Sequence, residues 1–294
     1  MNDFPFYLLL PLLAAIVYAV GALALKRALS FGLGLWRLTF LANLAMGVLF
    51  LPLLLLGGAE NADGRWYQPV LGGLAFFTGQ IFTFLALNKG DVSVATPVMG
   101  IKVILVAFFS TLLVDQPVSP QLWGGAVLTT VGILLLHGGS AAERRLVLPT
   151  LVLAACSASA FALTDVLVQR WAPLWGIGHF LPLMFGCLTV FSLGFIPFFS
   201  GPLWPLPRAG AGWVAAGCCL LALQAFILAV TFGVFGNATA VNIVFSSRGL
   251  MSVVLVWLVG HWFTSSEQHL GRKVLGRRLC GASLLVGAIA LTLV

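Results

Sequence analysis

Ala95-Thr-Pro-Val-Met-Gly-Ile-Lys102-Val-Ile-Leu-Val and Val241-Asn-Ile-Val-Phe-Ser-Ser-Arg248-Gly-Leu-Met-Ser decide how this chain is read. Each stretch lies inside a long apolar run and places one cation near its middle. A shift of 146 positions carries Lys102 onto Arg248, Gly90 onto Gly236, Asp91 onto Asn237, Val98 onto Val244 and Leu112 onto Leu258. A lone cation at mid-membrane costs about 2.5–3.5 kcal/mol on insertion scales. Carrying that cost twice, at matched positions, points to a polar site between two related halves. The plainer alternative is that each cation is paired internally and only ties helices together.

The rest of the composition supports a membrane setting. Of 294 residues, 61% are hydrophobic and 8% charged, whereas a soluble domain carries roughly 25% charged residues. A bilayer crossing takes about 20 apolar residues, so the chain has room for about ten helices joined by short loops and for no soluble domain. Segments of alternating polarity, the mark of a β-barrel, are absent, so closed helices must satisfy the backbone. The fold expected is an all-α integral membrane protein. Its first helix reads as retained, because Met-Asn-Asp-Phe-Pro has no positive charge ahead of the apolar run.

Helices are expected at about 5–25, 35–56, 66–87, 92–114 and 121–136, and then at 146–168, 178–199, 211–232, 238–260 and 279–294. The stretch 139–145, small residues followed by Glu143-Arg-Arg145, reads as a linker between a first five-helix unit, 1–138, and a second, 146–294. Five helices is an odd number, so the second unit is inverted in the membrane relative to the first. That is the plan of many secondary transporters, with a site near the midplane between the repeats.

These features resemble the EamA-type branch of the drug/metabolite transporter superfamily. The resemblance covers nearly the whole chain, as two copies of a five-helix unit. It rests on Arg37 opening the second helix, Ala86-Leu87 ending the third, Ala95-Thr96 early in the fourth, and Asp115-Gln-Pro-Val-Ser after the fourth. Gly132 and Gly287 in the last helix of each half complete it. The family usually carries Glu at the position of Asp115, and His261 stands at the equivalent place in the second half. The resemblance implies a basket of helices 1–4 and 6–9 around a central cavity, with helices 5 and 10 at the rim. In relatives that carry phosphorylated sugars, cations on the fourth and ninth helices bind the phosphate.

Lys102 and Arg248 each lie about ten residues from either helix end, too deep to reach the headgroups easily. They are the leading candidates for substrate contact. Gln80 and Gln224, matched at a shift of 144, are candidate cavity hydrogen-bonders; the alternative is bonding between helices. Thr96, Asn242, Ser246 and Ser247 lie within two turns of the cations, although Ser and Thr in such helices often bond only their own backbone. Asp165 is a candidate protonation site for ion coupling, or else an acid paired with a nearby cation. Pro97 is expected to free a carbonyl close to Lys102. Trp66, Trp171, Trp175, Trp204 and Trp262 sit beside loops and read as interfacial anchors. Gly125-x-x-x-Thr129 and Ser283-x-x-x-Gly287 read as small faces for close packing, within the chain or at a homodimer seam through helices 5 and 10.

Other chemistry is not expected. The net charge of +7 is scattered over short loops without a basic stripe interleaved with aromatics, so nucleic acid is no partner. Cys156, Cys187, Cys218, Cys219 and Cys280 lie in apolar runs and form no disulfide or metal framework. The histidines lack ligand spacing and there is no Walker loop. No catalytic residue, metal or cofactor is therefore expected.

The function expected is a secondary carrier of a small polar, anionic metabolite, working by alternating access in a plasma membrane of the bacterial inner-membrane type. Alternatives are a flippase for a lipid-linked substrate, an exporter of amino acids or drugs, and a non-transporting scaffold. Of fifteen Lys and Arg, ten fall in loops after odd-numbered helices and two on the other side. This bias puts both termini outside the cytoplasm, whereas the resemblance implies termini inside.

Overall fold

The computed structural model of the protein describes residues 5–58, 65–89, 98–114, 118–137, 148–206, 208–259 and 272–293. Thr96, Pro97, Asp115, His261, the Gly90-Asp91 turn and the 139–145 linker fall outside them. Within the described residues the regular elements are helices: α1 (Leu9–Leu29), α2 (Leu35–Phe50), α3 (Tyr67–Lys89), α4 (Lys102–Leu113), α5 (Pro120–His137), α6 (Leu148–Trp175), α7 (Ile177–Ser192), α8 (Arg208–Phe235), α9 (Ala238–Phe245), α10 (Arg248–Val259) and α11 (Arg272–Thr292). Phe6–Leu8 extends α1 as a 3-10 turn, and α2 and α7 each end in one, Leu51–Leu56 and Leu193–Phe198. Pro52 and Pro197, which donate no backbone hydrogen bond, sit in the latter two.

Among the described residues, six helical segments are long and apolar enough to cross a membrane: Phe6–Leu29, Leu35–Leu56, Tyr67–Ala86, Leu148–Trp175, Ile177–Phe198 and Arg208–Phe235. They are the first three of each half. The fourth segment of each half is interrupted instead. The helix expected over 238–260 is two helices, α9 and α10, joined at Ser246-Ser247. At that joint the hydrogen bonding tightens to a three-residue step: Ser247 N donates to Val244 O (3.1 Å) and Gly249 N to Ser246 O (3.2 Å). The fourth segment does the same, with Ile101 N donating to Val98 O (3.0 Å) just before α4. Lys102 and Arg248 therefore each open the helix that follows a tightened turn. Under the shift of 146, α4 and α10 match from first residue to last.

Packing follows a twofold exchange of the halves. Helix α1 lies on α8 as α3 lies on α6; α2 on α8 as α3 on α7; α4 on α6 as α1 on α10. Helices α2 and α7 face each other, and so do α5 and α11. Swapping the first five segments for the second five leaves this pattern unchanged, as an inverted repeat requires. Helices in lipid gain little from hydrophobic burial, so small residues that permit close approach hold them together. Helix α1 buries Ala14, Ala15, Ala19, Gly21, Ala24 and Ala28. A Cβ on Gly21 would press on Leu220, and one on Gly217 would run into Leu25, so α1 and α8 interlock reciprocally. At the rim, Gly132 of α5 and Gly281 of α11 each pack on the other's carbonyl. The small face of α5 is thus used inside the chain, with Thr129 fully buried, while Gly287 meets open space.

One side chain differs from its expected role, and one that opens α2 as expected shows what it holds. Trp175, read as an interfacial anchor, is 2% exposed and donates its indole N–H to Gln68 Oε1 (2.8 Å). It is followed by a turn at Gly176, which has φ +75°. Arg37 is buried at the start of α2 and donates from Nη2 to the carbonyls of Leu203 (2.9 Å) and Pro205 (3.4 Å), clamping the loop before α8. Its role is in holding that loop.

Candidate functional site

A cavity of about 380 Å³ lies among the helices of both halves. Lys102, Arg248, Asp165, Gln80 and Gln224 all line it, from α4, α10, α6, α3 and α8. These residues are far apart in sequence, and the exchange of halves brings them to one chamber.

The two cations meet different surroundings. Lys102 Nζ lies 2.7 Å from Asp165 Oδ2, and both side chains are mostly shielded. The same carboxylate oxygen accepts a hydrogen bond from Asn242 Nδ2 (2.8 Å), whose amide also donates to Ala238 O (3.0 Å). One turn beyond Asp165, Gln169 Oε1 accepts from Ala238 N (2.8 Å). Helix α6 thus ties α4 to the first turn of α9. Arg248 instead lies over two rings, its Cζ 4.8 Å from the Tyr18 centroid and 4.6 Å from that of Phe245. Those rings meet edge to face, 6.0 Å apart. Among the described residues Arg248 has no ion-pair partner. Contact with ring faces steadies a guanidinium by about 0.5–2 kcal/mol without neutralising it, and leaves its in-plane N–H groups open to an acceptor.

Further along the cavity, Gln80 and Asn43 exchange two hydrogen bonds, of 2.8 and 2.9 Å. Asn43 is wholly buried, and its carbonyl also accepts from Thr189 Oγ1 (2.9 Å), linking α3, α2 and α7. The expectation that Gln80 faces the cavity and the alternative that it bonds another helix both describe it. Ser246 is buried with its hydroxyl given to Asn242 O (2.8 Å), and Ser247 is buried beside it. Neither forms the cavity wall; they belong to the joint between α9 and α10. Asn242 acts on the site through Asp165.

Several lining residues carried no mark in the sequence. Tyr18, Phe76, Phe161, Phe185 and Phe245 are ordinary aromatics among 23 phenylalanines and 3 tyrosines. A lone polar residue in an apolar helix, such as Asn43, was the one available signal. Gly79 packs against the Phe161 ring, and its carbonyl accepts from Ser157 Oγ (3.0 Å), fixing the α3–α6 seam that shapes this wall.

Residues 5–138 match the EamA-like transporter family. A stretch of 58 residues is 33% identical to a protein of Pseudomonas savastanoi pv. phaseolicola (strain 1448A / Race 6) described as "Probable 4-amino-4-deoxy-L-arabinose-phosphoundecaprenol flippase subunit ArnE". That stretch is 20% of this chain and spans about half, 51%, of the relative. A solved structure described only as "Crystal structure of protein" superposes with a TM-score of 0.76 at 19% identity, covering 98% of this chain and 96% of its own. That likeness carries the fold across both halves. The chain is thus similar to the EamA-like transporter family over its first half, and shares its helical architecture with the solved structure over both halves.

Proposed function

We propose that this protein is a secondary carrier that moves a small anionic metabolite by alternating access, with Arg248 as the anchor for the anion. The observation that carries the reading is the unbalanced charge in the cavity. Lys102, Arg248 and Asp165 line one chamber, Lys102 is matched with Asp165, and Arg248 is left facing the space. When all three are ionised, the chamber holds a net charge of about +1, a costly condition at membrane depth that an anion relieves. Gln224 and Gln80 flank the path, and Asn242, Ser246 and Ser247 set the joint from which Arg248 projects. Thr96 is proposed as a further substrate contact. Protonation of Asp165 would release Lys102 and so couple ion movement to substrate. The bacterial source of the matched relative supports placement in a bacterial inner membrane.

Thiol labelling tests alternation. In a background without the five native cysteines, a cysteine replacing Gln224 should change its reactivity toward impermeant reagents, from one membrane face to the other, when substrate is added. Labelling from the same face under every condition would refute the reading.

The relative's description as a flippase subunit favours a second reading, in which the cargo is lipid-linked. A lipid-linked anion would then compete for Arg248 in vesicles, and water-soluble anions would not be carried.

A further inference from the structure

The cavity walls bear on which anion fits, and this step rests on the anion-carrier reading above. The polar groups on the wall are largely committed to the protein. Thr39, Thr83 and Thr164 give their hydroxyl protons to the carbonyls of Leu35, Gly79 and Ala160, four residues back in their own helices. Gln80 is locked in its double bond with Asn43. A sugar or polyol needs a convergent set of free donors and acceptors; of the neutral polar side chains described on the wall, Gln224 and Tyr18 are left to supply it, too few to match a polyol. The remaining surface is apolar, with Phe76, Phe161, Phe185 and Phe232 joined by Met46 and Met184. Phe76 meets Phe161 and Phe185 edge to face at 5.3 and 6.0 Å, so the rings form one continuous wall. Methionine adds a surface that adapts to varied apolar shapes.

The charges set a second limit. Lys102 is already neutralised by Asp165 at 2.7 Å, and Asn242 fixes that carboxylate in place. A monoanion on Arg248 brings the chamber to neutrality. A phosphate dianion leaves it at about −1, and a cation raises it to about +2, each costly in a low-dielectric site. The two-cation phosphate site that the sequence resemblance implied is therefore not free here, because one of its cations is spent on an internal acid.

We infer that the substrate is a monoanion with an apolar body, such as an aryl or alkyl carboxylate, its carboxylate on Arg248 and its body against the phenylalanine–methionine wall. The test is proteoliposome uptake by the full chain, with competition by acetate, butyrate, hexanoate and phenylacetate, and with glycerol phosphate, phenylalanine and tetraphenylphosphonium as contrasts. Affinity should rise up to about fourfold for each methylene buried along the alkyl series. Phenylacetate should exceed acetate, and Arg248→Gln should lower its affinity by roughly 30-fold or more. A flat alkyl series would overturn the inference on unaltered protein, whatever the variant does. Uptake of glycerol phosphate in preference to the carboxylates, lost in Arg248→Gln, would overturn the monoanion inference while leaving the anion carrier standing. Preferred uptake of tetraphenylphosphonium, unchanged in Arg248→Gln, would overturn both.

Discussion

Lys102 and Arg248 occupy equivalent places in two halves with the same packing plan, yet their environments are opposite. Lys102 ends on a carboxylate at 2.7 Å; Arg248 ends on the faces of two aromatic rings. Repetition supplied two cations on two interrupted helices. The neighbours then divided the labour, because Asp165 has no acidic counterpart at the other cation among the described residues. A repeat can therefore be symmetric in its backbone and asymmetric in its chemistry. The asymmetry leaves one cation paired between helices and the other without an acidic partner among the described residues, in a cavity that both line.

The sharpest way to break the comparison is to remove the acid. Asp165→Asn leaves Lys102 buried without its counter-charge, and loss of one partner of a buried pair costs about 3–5 kcal/mol. Unfolding of purified protein in detergent should show that loss. Replacing both partners, as in Lys102→Met with Asp165→Leu, should recover most of it, since two apolar groups need no partner. If Asp165→Asn unfolds like wild type, the pair does not hold the helices. A smaller effect is expected at the other cation. Tyr18→Leu removes one of the two rings under Arg248, a contact worth about 0.5–2 kcal/mol. Unfolding should shift by no more than that amount, and anion affinity should fall because the guanidinium is less firmly placed. Equal loss at any unrelated aromatic of the wall would remove the special role of this ring.

Much of the fold was legible because apolar runs and lone charges are visible in one dimension. The positions of α1 to α3 and α6 to α8 follow from run length, and Lys102, Arg248 and Asp165 stood out as charges in lipid-facing composition. What could not be read was pairing. Lys102 meets Asp165 across 63 positions, and Arg248 meets Tyr18 across 230, so no local pattern marks either contact. The joint at Ser246-Ser247 also stayed hidden, since neither residue forbids a helix as proline does. Trp175 misled because proximity to a turn was read as exposure, whereas it is buried and bonded to Gln68. Gln80 and Gln224 were legible as a pair, but the bond of Gln80 to Asn43 was not, because it links two helices that come together only on folding.

The central claim is that one matched cation stabilises the protein and the other binds the anion. Thermal unfolding of wild type, Lys102→Gln and Arg248→Gln, each with and without whichever of phenylacetate, acetate and glycerol phosphate stabilises wild type most, tests it directly, since a ligand that binds only the folded state raises its stability. Lys102→Gln should unfold at a clearly lower temperature and still be shifted upward by the anion. Arg248→Gln should unfold close to wild type and show no shift. Equal loss of the anion's effect in both variants, or a shift retained in Arg248→Gln, would contradict the account.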